Sequence, residues 1–122
     1  MSEALERARR ICLSLPEATE QVAWGEPTWR VKKKIFAMFA REGTHHTRGA
    51  GDSLWCNAPL GVLEILTNSD PEKFFSPPYA GVNGWVGVVI GKVDDGELRE
   101  LVIQSYCMVA PAKLAALADR EG

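Results

Sequence analysis

Two adjacent histidines, three scattered cysteines and a run of lysines are the residues of this chain best suited to chemistry. His45-His46 is its histidine cluster, and neighbouring side chains on an extended backbone point apart. The pair therefore suits a solvated loop better than a shared metal ion. Cys12, Cys56 and Cys107 are odd in number, far apart and each beside apolar residues, the pattern of buried free thiols in a reducing compartment. Nucleophilic catalysis needs a Ser, Cys or Lys beside an activating base, and no nucleophile-elbow motif accompanies the histidines. Arg48-Gly49-Ala50-Gly51-Asp52 has the composition of a phosphate loop but matches neither the Walker nor the Rossmann pattern. These features predict a non-enzymatic chain with no metal and no cofactor.

The lysine run offers a different chemistry. Residues 30–48 hold Arg30, Lys32, Lys33, Lys34, Arg41 and Arg48 against one acid, Glu42, a balance of +5 in a chain whose formal net charge is −2. The remainder carries −7, and the pI of about 5.7 argues against a dedicated basic nucleic-acid domain. Charged residues at a hairpin tip can simply keep it wet and block edge pairing. The functional alternative is a small wing whose lysines meet phosphate oxygens, with Arg30 extending the patch. A second candidate is aromatic. Tyr79, in a Pro-rich loop, and Trp85, following Gly84, either plug the end of the core or line a ligand groove. Trp24 and Trp29 are core candidates by the same bulk argument.

The elements that must position these residues follow from periodicity. Residues 2–15 form an amphipathic helix with Leu5, Ala8, Cys12 and Leu15 on one stripe, ended by Pro16. The acidic stretch 17–21 and Val22 to Pro27 lead into a hairpin. Trp29 to Ala40 is that hairpin: Trp29 and Val31 alternate with Arg30 and Lys32, Ile35 to Ala40 is apolar on both faces, and the lysines make the turn. Ser53 to Asn57 is a third strand, and Pro59 to Leu66 a helix. Asp70 to Phe75 reads as a helical turn, Trp85 to Ile90 as an interior strand, and Glu97 to Val109 as the strongest helix. After the break at Ala110-Pro111 comes a short final helix. The expected fold is α+β, an antiparallel sheet of four or more strands packed on helices, in the order α-β-β-β-α-β-α-α.

At 122 residues, 46% hydrophobic and 25% charged, the sequence reads as one soluble domain over 1–122. No stretch approaches the apolar length of a membrane span, and the charged start lacks a signal-peptide core, so a cytoplasmic location is expected.

Trp24-Gly25-Glu26-Pro27-Thr28-Trp29-Arg30-Val31 leads into Lys34-Ile35-Phe36-Ala37. Asp70 to Phe75 leads into Pro77-Pro78-Tyr79-Ala80-Gly81 and Gly84-Trp85-Val86-Gly87, followed by Leu98, Leu101, Tyr106 and Val109-Ala110-Pro111. This succession resembles the MmcQ/YjbR family of small bacterial proteins over nearly the whole chain. The resemblance implies a "double wing" arrangement, a curved antiparallel sheet with helices, and a DNA-binding role. Family members often carry a basic residue before the Gly-Trp pair; here that place is Asn83. The expectation is thus weak, sequence-independent DNA binding through Arg30, Lys32, Lys33, Lys34, Arg41 and Arg48. The alternative is a small-molecule or peptide-binding module built on Tyr79 and Trp85.

Overall fold

A computed structural model describes residues 3–41, 51–78 and 83–121. Its elements run α1 (Glu3–Leu13), β1 (Thr19–Ala23), β2 (Glu26–Val31), β3 (Lys34–Ala40), β4 (Ser53–Cys56), α2 (Val62–Ser69), β5 (Phe74–Phe75), β6 (Val86–Val89), α3 (Asp95–Val109) and α4 (Ala112–Glu121). The strands form one antiparallel sheet in the order β1-β2-β3-β4-β6-β5. This is the expected α+β fold, its antiparallel sheet of four or more strands having six. No helix among the described residues is long and apolar enough to cross a membrane.

Helices α1 and α3 cover one face of the sheet, and α4 packs on α3. Leu5, Ala8, Ile11 and Cys12 form the buried stripe of α1, and Leu98, Val102 and Tyr106 that of α3. They meet Trp29, Val31, Ala37, Phe39, Leu54, Cys56, Val86 and Val88, which register and alternation place on the same face. Trp29 is fully enclosed, so truncating it to alanine would cost about 3–5 kcal/mol. On the opposite face Thr28, Ser53 and Trp55 are buried. Across its far edge the Phe75 ring lies over Gly87, where a Cβ would stand 2.5 Å from the ring. Only glycine admits that ring without a shift.

Three elements depart from expectation. The acidic stretch 17–21 contains most of a strand, β1, because the charge of Glu20 is held by Arg9 of α1 at 2.8 and 2.9 Å. The predicted helical turn at 70–75 is a turn that delivers Phe74 and Phe75 into β5. Residues 59–61 lie before α2, whose start is set by Gly61 at φ 87°. Trp24, expected in the core for its bulk, is 78% exposed.

The reason lies in the turn it occupies. Ala23 pairs with Glu26, leaving Trp24-Gly25 as a two-residue loop with φ values of 52° and 81°. Val31 pairs with Lys34, leaving Lys32-Lys33 as another, with φ values of 49° and 70°. Positive φ at both loop positions defines the type I′ turn, whose twist matches that of the flanking strands. Asn-Gly normally supplies it. Here Trp24, Lys32 and Lys33 occupy left-handed positions at a cost on the order of 1 kcal/mol each.

Candidate nucleic-acid interface

The β2–β3 hairpin presents the lysine run at its tip. Lys32 and Lys33 are the turn itself, and Lys34 opens β3. All three are exposed, while Arg30 is half-buried. Lys32 Nζ meets Glu17 Oε1 at 2.7 Å, an exposed pair that weakens the field of the tip without cancelling it. Among the described residues no carboxylate lies within 4 Å of Arg30, Lys33 or Lys34. Arg30 Nε reaches Thr28 Oγ1 at 3.4 Å, and Thr28 Oγ1 in turn donates to the Gln21 carbonyl at 2.6 Å.

The cations do not form a one-sided patch. Lys34 stands opposite Val31 and so shares the Trp29–Val31 face. Arg30 stands opposite Ile35, on the other face of the ribbon. Positive charge thus flanks the tip on both sides.

Arg41 does not belong to this cluster. It lies seven residues along from Lys34, about 23 Å by strand rise. There its guanidinium reaches Glu26 at 3.1 Å, its backbone N–H donates to the same carboxylate, and the group lies 5.5 Å from the Phe39 ring centre. Charge that is continuous in sequence is divided between the two ends of a strand. Arg48, His45, His46 and Tyr79 lie outside the described residues. Trp85 is half-buried beside Gly84. A hollow of about 450 Å³ runs along α3, lined by Glu100, Leu101, Ile103, Gln104 and Cys107.

The other arginines join elements together. Arg7 donates to Asp95 at 2.9 Å and to the carbonyls of Ile90 and Val93 at 2.9 and 2.7 Å, fastening α1 to the start of α3. That hydrogen bond holds the Asp95 carboxyl below its usual range. Arg10 meets the other oxygen of Asp95. Arg9 grips Glu6 and Glu20. The Arg9 hydrogen bond, helped by one from the Trp29 indole at 3.0 Å, lowers the Glu20 pKa against the opposing effect of burial.

Burial pushes the Cys56 thiol up to about 12 and Cys12 well above its ordinary value, so neither is a thiolate at neutral pH. Among the described residues no three His, Cys, Asp or Glu side chains gather as metal ligands.

A six-stranded antiparallel sheet with two type I′ hairpins and helices across one face defines an α+β architecture. The YjbR family model matches residues 13–108, and the chain belongs to the YjbR family. Its fold is similar to the crystal structure of Deinococcus radiodurans protein DR2400, a DUF419 domain, with a TM-score of 0.72 and 19% identity over 96% of this chain and 86% of that one. No curated protein matches.

Proposed function

We propose that this chain is a non-enzymatic DNA-binding domain whose β2–β3 tip contacts phosphates without reading sequence. The carrying observation is the tip itself: Lys33 and Lys34 are exposed, no described carboxylate lies within 4 Å of either, and Arg30 stands on the opposite face. Cations on both sides of a narrow ribbon suit a position between two lines of phosphates. Lysines on flexible stems act there as point charges, positioning the protein and leaving base edges unread.

Net charge supports this mode. On a particle of −2, a local positive tip orients the approach of a polyanion while the acidic remainder repels it elsewhere. The left-handed lysines add a second argument. An Asn-Gly turn would close the same hairpin with less strain, so the residues present sacrifice turn stability for charge.

Fluorescence anisotropy of a labelled duplex at low and moderate salt tests the proposal. Binding should be measurable at low salt, weaken steeply as salt rises, and drop at least tenfold when Lys32, Lys33 and Lys34 become glutamine. Affinity indifferent to those three substitutions would refute it.

A further inference from the structure

The turn at the other end of β2 is built unlike an ordinary surface turn. Trp24 is 78% exposed, and Val22, two residues before it, is 66% exposed, whereas Trp29 is fully enclosed and Trp55 nearly so. Trp24 also stands at φ 52°, where a bulky side chain is strained and an asparagine would not be. A large ring kept in water on an unfavourable backbone does nothing for the stability of the sheet. Glu26, the residue after the turn, is engaged with Arg41 at 3.1 Å, so the ion pair beside the turn does not involve the ring.

An exposed indole is the chemistry that stacks nucleobases. Every base offers a π-face, so such stacking tolerates any sequence, in keeping with lysines that read none. A base inside a duplex is already covered by its neighbours on both faces; an unpaired base is not. The Trp24-Gly25 and Lys32-Lys33 turns lie at opposite ends of β2, roughly 23 Å apart by strand rise. That separation corresponds to roughly seven steps along one strand of B-form DNA.

We propose that Trp24 stacks on an unpaired base of the same DNA whose phosphates the lysine tip holds, so that the protein prefers duplexes bearing a single-stranded overhang to fully paired ones. This rests on the DNA-binding reading of the β2–β3 tip.

Anisotropy with three labelled DNAs of one duplex sequence separates the two. One is blunt, one carries a thymine overhang of roughly seven nucleotides, long enough to span the separation above, and one carries the same overhang with abasic sugars. The wild type should bind the thymine overhang about tenfold more tightly than the other two. Trp24→Ala should bring the overhang down to the blunt affinity, and Trp24→Phe should keep most of the preference, with circular dichroism confirming that both variants fold. Equal affinity for all three DNAs, or a preference that survives Trp24→Ala, overturns the stacking role while binding through the lysines stands. Failure of the wild type to bind any of the three at low salt overturns both. A dimer in the absence of DNA that Trp24→Ala abolishes would reassign the residue to a contact between copies and overturn the proposal.

Discussion

Ser105 Oγ of α3 donates to the Phe36 carbonyl at 2.6 Å, and the same oxygen accepts the Asn57 amide at 2.8 Å. The contact repairs a defect that the hairpin needs. Between the pairs Trp29–Ala37 and Arg30–Ile35 the register of β2 and β3 slips by one, which leaves Phe36 as the extra residue of a β-bulge. A bulge frees backbone groups from the ladder, and here a helix hydroxyl supplies the partner. The Phe36 ring meets Tyr106 edge-on at 5.3 Å, so one turn of α3 fixes both the carbonyl and the side chain. Tyr106 Oη continues the attachment by donating to the Pro16 carbonyl at 2.6 Å. The orientation of the lysine tip is therefore anchored through α3.

Ser105→Ala should destabilise the fold by about 1–3 kcal/mol, because it orphans a buried carbonyl and a part-buried amide together. Chemical denaturation measures this directly. Ser105→Thr, which keeps the hydroxyl, should recover part of the loss. A change below about 0.5 kcal/mol would show that another group satisfies the bulge.

Gly87→Ala should cost about 1–3 kcal/mol, since its Cβ would meet the Phe75 ring at 2.5 Å. Phe75→Ala removes that obstacle. In the double variant the Gly87→Ala penalty should largely vanish, a strong non-additivity that a double-mutant cycle detects.

Glu20 makes stability depend on acid. Its pKa is lowered in the folded chain by the Arg9 hydrogen bond, so its contribution is complete above the ordinary carboxylate pKa of 4.5 and is lost as pH falls through the lowered folded value. Glu20→Gln should therefore melt below the wild type at neutral pH, and the gap should close as pH falls through the lowered folded value. A gap independent of pH would place the effect of the substitution elsewhere.

Replacing Lys32-Lys33 with Asn-Gly relieves two left-handed positions. The variant should gain on the order of 1 kcal/mol, since the lost pair with Glu17 is exposed and contributes little. A melting temperature a few degrees higher, together with weaker DNA binding, would show that the turn trades stability for charge.

The sequence disclosed the elements that carry their signal locally. The alternation of Trp29 to Val31 and the apolar run after the lysines marked the central hairpin; Pro16 and Ala110-Pro111 marked helix ends. Strand β1 was hidden because Glu20 looks solvated until Arg9, eleven residues earlier and on a helix, is seen to hold it. Its position at the sheet edge, with Thr19, Gln21 and Val22 exposed, also blurred its alternation. Trp24 departs from the expectation of burial because bulk predicts burial only where the backbone carries the side chain inward, and a type I′ turn does not. The Trp-Gly dipeptide before a strand was the available signal. For the candidate site, the lysine tip was legible, but Arg41 was not separable from it, since proximity along a strand becomes distance in space.

The central claim is that Lys33 and Lys34 displace counterions from DNA phosphates, and the salt dependence of binding tests it most directly. The slope of log affinity against log salt for a blunt duplex should be shallower in Lys33→Gln/Lys34→Gln than in the wild type by about two, one displaced ion for each lysine. Identical slopes would contradict it, whatever the absolute affinities.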